Sequence, residues 1–188
     1  MRFIKAVLLT CAVLLVLPAS GYALLDLGAY GGYSFAGKIE TDAGNPKTSG
    51  PEWGAFAHYN TGLPMLFTFG VGPFYQKTYL SFDLGNNDYD ATRSMLGMDV
   101  YLQLELPILV HPFVRGGVAM KEWLKIEGGG GSSTKSEYFK SYYGGLGVAL
   151  KVFPLVSLFG EYLYTRSKQE DGIVVKGNSV HAGAKLAL

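Results

Sequence analysis

The charged side chains of this chain that could do chemistry fall on alternate positions of apolar segments. Residues 94–106 illustrate this, with Leu96, Met98, Val100, Leu102, Leu104 and Leu106 alternating with Gly97, Asp99, Tyr101, Gln103 and Glu105. Successive side chains of a strand point to opposite faces, so one face is aliphatic and the other carries carboxylates. Similar alternation gives polar faces to other segments, and it places Lys38, Lys121 and Lys151 on those inward faces. We therefore predict a network of paired interior charges made of Asp99, Glu105, Arg115, Glu161 and Lys185.

Catalysis is the alternative use of such polar side chains. An acyl hydrolase needs a nucleophile with a base in reach, and Ser179 and His181 share one face of a strand. No nucleophile elbow surrounds them. The four glycines at 128–131 precede no Lys-Ser/Thr pair, and residues 85–90 lack the closing glutamate of a calcium loop. We predict no catalytic residue, cofactor or metal ligand, and keep a lipid-modifying enzyme as the weaker alternative.

Eight segments of alternating polarity must position these side chains. They comprise residues 25–38, 52–60, 65–76, 94–106, 114–121, 142–151, 156–165 and 179–188. Proline marks short connections at Pro64, Pro107 and Pro154. The remaining connections are long and polar, at residues 39–51, 77–92, 126–137 and 167–177. Short links alternating with long ones predict an all-β fold, an eight-stranded up-and-down antiparallel barrel with turns at one rim and loops at the other.

The first residues give the compartment. Arg2 and Lys5 precede an apolar run, and small residues follow Pro18 up to Ala23. This pattern predicts a cleaved signal peptide at residues 1–23 and a single barrel domain at residues 24–188. Cys11, the only cysteine, lies inside the apolar run, so the mature chain is expected to have no thiol. A formal net charge of +1 indicates no bulk attraction to nucleic acid.

The aliphatic faces decide whether lipid or water surrounds the barrel. They carry no charge along their central residues, and aromatic side chains such as Tyr33, Trp53 and Tyr164 lie towards their ends. Interfacial aromatic girdles of this kind are typical of transmembrane barrels. A soluble barrel would have to bury the aliphatic face and expose a surface with few charges, which is poor for solubility. The pattern favours lipid outside and packed polar groups inside.

In its signal peptide, eight alternating strands, prolyl turns and long loops, the chain resembles the small OmpA/OmpX-like outer-membrane barrels. The resemblance implies insertion into the outer membrane by the barrel-assembly machinery. Such barrels usually end in an aromatic residue, whereas this chain ends in Leu188.

We expect a monomer in contact with outer-membrane lipid. Its role would be structural or interactive, in adhesion or envelope integrity, through loops that could bind an extracellular ligand. No sequence feature names that ligand. A narrow porin-like channel for water or small solutes is the alternative, because paired interior charges could also line a polar path.

Overall fold

The computed structural model describes residues 25–40, 44–63, 66–84, 87–128, 131–168 and 173–188. The predicted signal peptide lies outside these residues and stays a prediction. Eight strands follow one another along the chain: β1 (Leu25–Glu40), β2 (Lys47–Leu63), β3 (Phe67–Leu84), β4 (Asn87–Leu104), β5 (Val110–Gly128), β6 (Gly131–Phe153), β7 (Val156–Lys168) and β8 (Val174–Ala187). No helix in this part of the chain is both long and apolar enough to span a membrane.

The strands form a closed barrel in which each is antiparallel to the next. Closure occurs between β1 and β8, where Ala29 lies opposite Ala184 and the backbones of Leu25 and Leu188 exchange hydrogen bonds of 3.1 and 2.8 Å. A closed barrel satisfies every strand edge internally, as a lipid environment requires. The predicted up-and-down fold is confirmed.

The outer wall is apolar where the sequence predicted it. On β4, Leu96, Met98, Val100 and Leu102 are 37–44% exposed, whereas Asp99 on the opposite face is 2% exposed. The aliphatic stretch on this strand covers residues 96–104, or about 26 Å at 3.3 Å per residue and roughly 20 Å of height after strand tilt. Aromatic side chains border this stretch at the end away from the short turns, namely Tyr33, Phe35, Trp53, Tyr142, Tyr162 and Tyr164. We call these residues the girdle, and we call the barrel between the girdle and the short turns the membrane part.

The structure corrects the prediction of long loops, because most of the residues assigned to those loops continue the strands. β3 runs to Leu84 and β4 begins at Asn87, so residues 77–84 and 87–92 lie in paired strands, and residues 126–128 and 131–137 likewise belong to β5 and β6. The fourth strand also ends at Leu104, which leaves Leu106 beyond it. Paired strands satisfy their backbone groups with each other, whatever the polarity of their side chains. We call the strand segments between the girdle and the hairpin tips the extension.

Bulges explain why the alternation changes phase above the girdle. The β1–β2 register shifts between Ser34 and Gly37, around Ala36 with φ of 49°, and the β5 register shifts between Ala119 and Lys121. An extra residue reverses which side chains face inward. Lys38 and Lys121, which the alternation assigned to the interior, therefore lie on the outer wall. Buried Ile39 and Glu122 take the inward positions beside them.

Candidate functional site: the charge network inside the barrel

Arg115 lies at the centre of the membrane part. Its Nε donates to Asp99 Oδ2 at 2.7 Å, and its Nη1 donates to Glu161 Oε1 at 3.1 Å. These residues come from β5, β4 and β7, and all three side chains are 3% exposed or less. The guanidinium also lies 4.6 Å from the ring centroid of Phe56, within cation–π range. Arg115 thus compensates two carboxylates that burial alone would make costly.

Two histidines extend this group around the barrel interior. The Nε2 atom of His58 lies 2.5 Å from Asp99 Oδ1. His181 lies between two carboxylates, with Nε2 2.5 Å from Glu52 and Nδ1 3.0 Å from Glu161. Three carboxylates thus face one guanidinium and two imidazoles. We call these six residues the central network.

Glycine gives the large interior side chains their space. A Cβ atom on Gly28 would lie 2.2 Å from the ring of Phe56, and one on Gly70 would lie 2.1 Å from the ring of Tyr101. Both distances are far inside van der Waals contact. The high glycine content therefore has a packing role here, because a ring from one strand covers a bare backbone position on its neighbour.

A second polar group lies nearer the turns, and it contains the other two predicted residues. Lys185 Nζ donates to Asp26 at 2.9 Å and to Gln103 Oε1 at 3.0 Å. The amide nitrogen of Gln103 donates to Glu105 at 2.6 Å, and Thr68 donates to the same carboxylate at 2.9 Å. Gln103 therefore connects Lys185 and Glu105. The structure brings Asp99, Arg115 and Glu161 together and places Lys185 and Glu105 in this separate lower group.

One buried ion pair was missed by the sequence reasoning. Arg93 Nε donates to Glu122 Oε1 at 2.5 Å, and the hydroxyls of Ser141 and Ser167 donate to the other oxygen of that carboxylate. Arg93 lies one residue before the predicted segment 94–106, and Glu122 follows the β5 bulge. Counting back by twos from Asp99 places Arg93 on the same face of the strand, and this period is the signal that could have identified it.

The Ser179–His181 pair does not have the geometry of a nucleophile and its base. Both ring nitrogens of His181 contact carboxylates, and Ser179 is 3% exposed inside the barrel. A substrate would need access to that hydroxyl. Within the described ranges no group of three or more His, Cys, Asp or Glu side chains could hold a metal ion.

The interior cavities shrink rapidly from the turns towards the girdle. A cavity of about 380 Å³ opens at the turn end, where Asp26, Glu105, Lys151 and Lys185 line it. Lys151, assigned to the interior by sequence, lies at this mouth and is exposed. Beside Arg115 and Phe159 the space is about 20 Å³, and beside Arg93 it is about 10 Å³. The upper spaces hold about one water molecule each.

Together, a lipid-compatible wall, a closed eight-stranded sheet and a filled polar interior define a small transmembrane β-barrel of the cell outer membrane. The chain belongs to the outer membrane protein beta-barrel domain family, whose sequence model matches residues 6–187.

Solved structures share the fold at low identity. Neisserial surface protein A is 17% identical with a TM-score of 0.60, and the match covers 90% of this chain and 100% of that one. The attachment invasion locus protein Ail of Yersinia pestis is 18% identical with a TM-score of 0.50, covering 86% and 98% of the two chains. Among curated proteins, no sequence matches this chain. These similarities support the barrel fold and do not by themselves assign a role to this chain.

Proposed function

We propose that this protein is a closed, non-conducting barrel that anchors a rigid β-sheet extension outside the cell for structural or surface-interaction roles. The observation that carries the proposal is the filling of the interior. Arg115 and its partners occupy the membrane part, and the spaces beside them are about 20 and 10 Å³. A hydrated path for solutes would need these spaces to be larger and connected.

The extension supports the interactive half of the proposal. An apolar cluster fills its interior, comprising Ile39, Leu80, Phe82, Ala91, Leu124 and Val175. Packed side chains hold the hairpins in one shape, which favours binding because little conformational freedom is lost on contact. Adhesion or envelope integrity are the roles such a surface suits. Ail of Yersinia pestis shares the barrel fold, and its name describes attachment and invasion in its own organism.

Single-channel recording in planar bilayers tests the closed interior. The purified protein is expected to give no conductance steps above the bilayer background. A matched variant, Arg115→Ala with Phe159→Ala, removes side chains that line the 20 Å³ space and is expected to introduce brief openings. Regular steps from the unaltered protein would contradict the proposal and favour the narrow-channel alternative.

The interactive role is tested on cells. Bacteria that express the protein are compared with bacteria that express a variant whose β3–β4 hairpin is shortened by removal of residues 80–91. Loss of cell attachment or envelope resistance in the variant, with equal protein in the membrane fraction, would support the proposal. Unchanged attachment and resistance after shortening each hairpin in turn would contradict it.

A further inference from the structure

Two lysines and a serine form one inward-facing row at the turn end of the barrel. Lys151 of β6 lies opposite Ser157 of β7, and Ser157 lies opposite Lys185 of β8. All three residues line the turn-end cavity of about 380 Å³. Neighbouring strands are about 4.8 Å apart, so the Cα atoms of the two lysines are about 10 Å from one another. Lysine side chains are long enough to direct both ammonium groups to one ligand beside Ser157.

The fold compensates only one of these two lysines with a carboxylate among the described residues. Lys185 Nζ donates to Asp26 at 2.9 Å. Lys151 is exposed at the mouth of the cavity, and within the described part of the chain no carboxylate pairs with it. Because an ammonium donates up to three hydrogen bonds and carries a compact charge, Lys151 is suited to bind a phosphate group that enters the cavity.

A carboxylate with one available oxygen lies at the end of β4, four strands away from Lys185. The Glu105 side chain is 26% exposed, and its Oε1 accepts hydrogen bonds from Thr68 and Gln103. Its Oε2 lies 3.2 Å from Nδ1 of buried His111, a nitrogen without a hydrogen-bond partner among the described residues. The cavity thus contains two lysine and two carboxylate side chains. This balance favours a zwitterionic ligand over a simple anion.

The turns around the cavity indicate the medium beside its mouth. On β7 the outer wall from Tyr164 to Val156 spans about 26 Å along the strand, or about 20 Å of height after strand tilt. The apolar band of an outer-membrane barrel is about 25 Å tall, so the turns must supply the remainder. Ile108, Leu109 and Phe153 supply it, since these apolar turn residues are 57%, 69% and 65% exposed. The mouth therefore lies at the depth of the inner-leaflet headgroups.

We propose that this cavity binds the phosphoethanolamine headgroup of an inner-leaflet phospholipid. The phosphate lies between Lys151 and Lys185 beside the Ser157 hydroxyl, and the ammonium donates to Glu105. The acyl chains follow the apolar outer wall next to Phe153. Charge-assisted hydrogen bonds of this kind are roughly twice as strong as neutral ones. The proposal rests on the outer-membrane location and on the outward orientation of the extension, and it is independent of what the extension contacts.

Lipid titration of a double variant tests the proposal. Lys151→Gln with Ser157→Ala removes two phosphate contacts and keeps the Lys185–Asp26 pair. The purified protein in a maltoside detergent is titrated with phosphatidylethanolamine, and bound lipid is counted by native mass spectrometry. We expect the double variant to bind this lipid about tenfold more weakly, because a charge-assisted hydrogen bond contributes roughly that factor. The parent should also prefer phosphatidylethanolamine to phosphatidylcholine, whose choline group has no N–H to donate to Glu105.

A matched control and a change of preference separate lipid binding from folding. Lys125→Gln with Ser136→Ala makes the same two substitutions on the outer wall of the extension and should bind phosphatidylethanolamine like the parent. Glu105→Gln removes the carboxylate that accepts from the ammonium and leaves the cavity with an excess of positive charge. We expect this variant to prefer anionic phosphatidylglycerol to phosphatidylethanolamine, the reverse of the parent preference, which a misfolded protein would not show.

Four results would overturn the proposal. Equal binding of phosphatidylethanolamine by the parent and the double variant is one, and a Glu105→Gln variant with the parent preference is another. Soluble phosphoethanolamine that binds the parent as tightly as the lipid does would assign the cavity to a solute. A spin label at Leu109 that collides freely with a water-soluble nickel complex in vesicles would place the mouth outside the membrane.

Discussion

The membrane part and the extension are built from the same eight strands, yet they arrange polar and apolar residues in opposite ways. In the membrane part, Val100 faces outward and Asp99 is buried inside. In the extension, Lys125 is exposed on the outer wall and neighbouring Leu124 is 1% exposed inside. The difference follows the surrounding medium, since a wall in lipid must be apolar and a wall in water can be charged.

The comparison shows how a single strand can serve both media. A bulge in β1 and another in β5 change the inward phase near the girdle. On β5 the phase change lets Glu122 reach Arg93 inside while Lys121 turns outward, where its ammonium lies 4.9 Å from the ring centroid of Trp123. Bulges are thus placed where the strand leaves lipid, and they adapt the side-chain pattern to water.

Breaking the central network should have the largest effect. Arg115→Met leaves the buried carboxylates of Asp99 and Glu161 without their guanidinium, and we expect the free energy of unfolding to fall by about 3–5 kcal/mol. Urea unfolding in lipid vesicles measures the loss. The matched triple variant, which adds Asp99→Asn and Glu161→Gln, should recover part of it. A triple variant weaker than Arg115→Met would show that the pairing is not the cause.

Removing apolar packing should weaken the extension more than the membrane part. Leu124→Ala is expected to cost about 3 kcal/mol, because it leaves a cavity in the apolar cluster. Hydrogen exchange should then increase at the extension hairpins before it increases at the strands around Val100. Equal increases in both regions would contradict the separation of the two interiors.

The outer wall should respond to charge according to its medium. Val100→Lys places an ammonium near the middle of the apolar band and should cost about 2 kcal/mol. Ser136→Lys, on the exposed outer wall of β6, should change the free energy by less than about 0.5 kcal/mol. Unfolding titrations of both variants in the same lipid give the comparison. Similar costs at the two positions would contradict the proposed boundary.

The smallest effect concerns Glu40, at the end of β1 beyond the girdle. The hydrogen bond from Lys176 lowers the pKa of this carboxyl below its ordinary 4.5. Its small contribution to stability is therefore present above pH 4.5 and is lost as pH falls through the lowered pKa. Carboxyl carbon NMR titration should show the Glu40 pKa rising in Lys176→Gln. A Glu40 pKa unchanged by that substitution would rule out the pairing.

Sequence reasoning predicted the membrane part well because lipid imposes a strict period of two. It identified the strand faces of Asp99, Arg115 and Glu161, and the structure places these three within hydrogen-bond distance. It took residues 77–92 for a loop because polar side chains on both strands of a hairpin resemble loop composition. It also misplaced Lys38 and Lys121, since a bulge adds one residue without a distinctive sequence signal.

Which charged side chains contact one another inside the barrel was harder to predict than which face of a strand each one lies on. Lys185 lies on the predicted face but contacts Asp26 and Gln103 rather than the central carboxylates. Which charges meet depends on strand stagger around the barrel, and alternation along one strand carries no information about stagger.

Spin-label accessibility along β4 tests the reversal between the two parts most directly. Labels replace two outward residues of the same strand, Val100 in the membrane part and Thr92 in the extension, and their collisions with oxygen and with a water-soluble nickel complex are compared in vesicles. We predict that oxygen dominates at Val100 and the nickel complex at Thr92, with the crossover near Ser94. Free access of the nickel complex to Val100 would contradict the account.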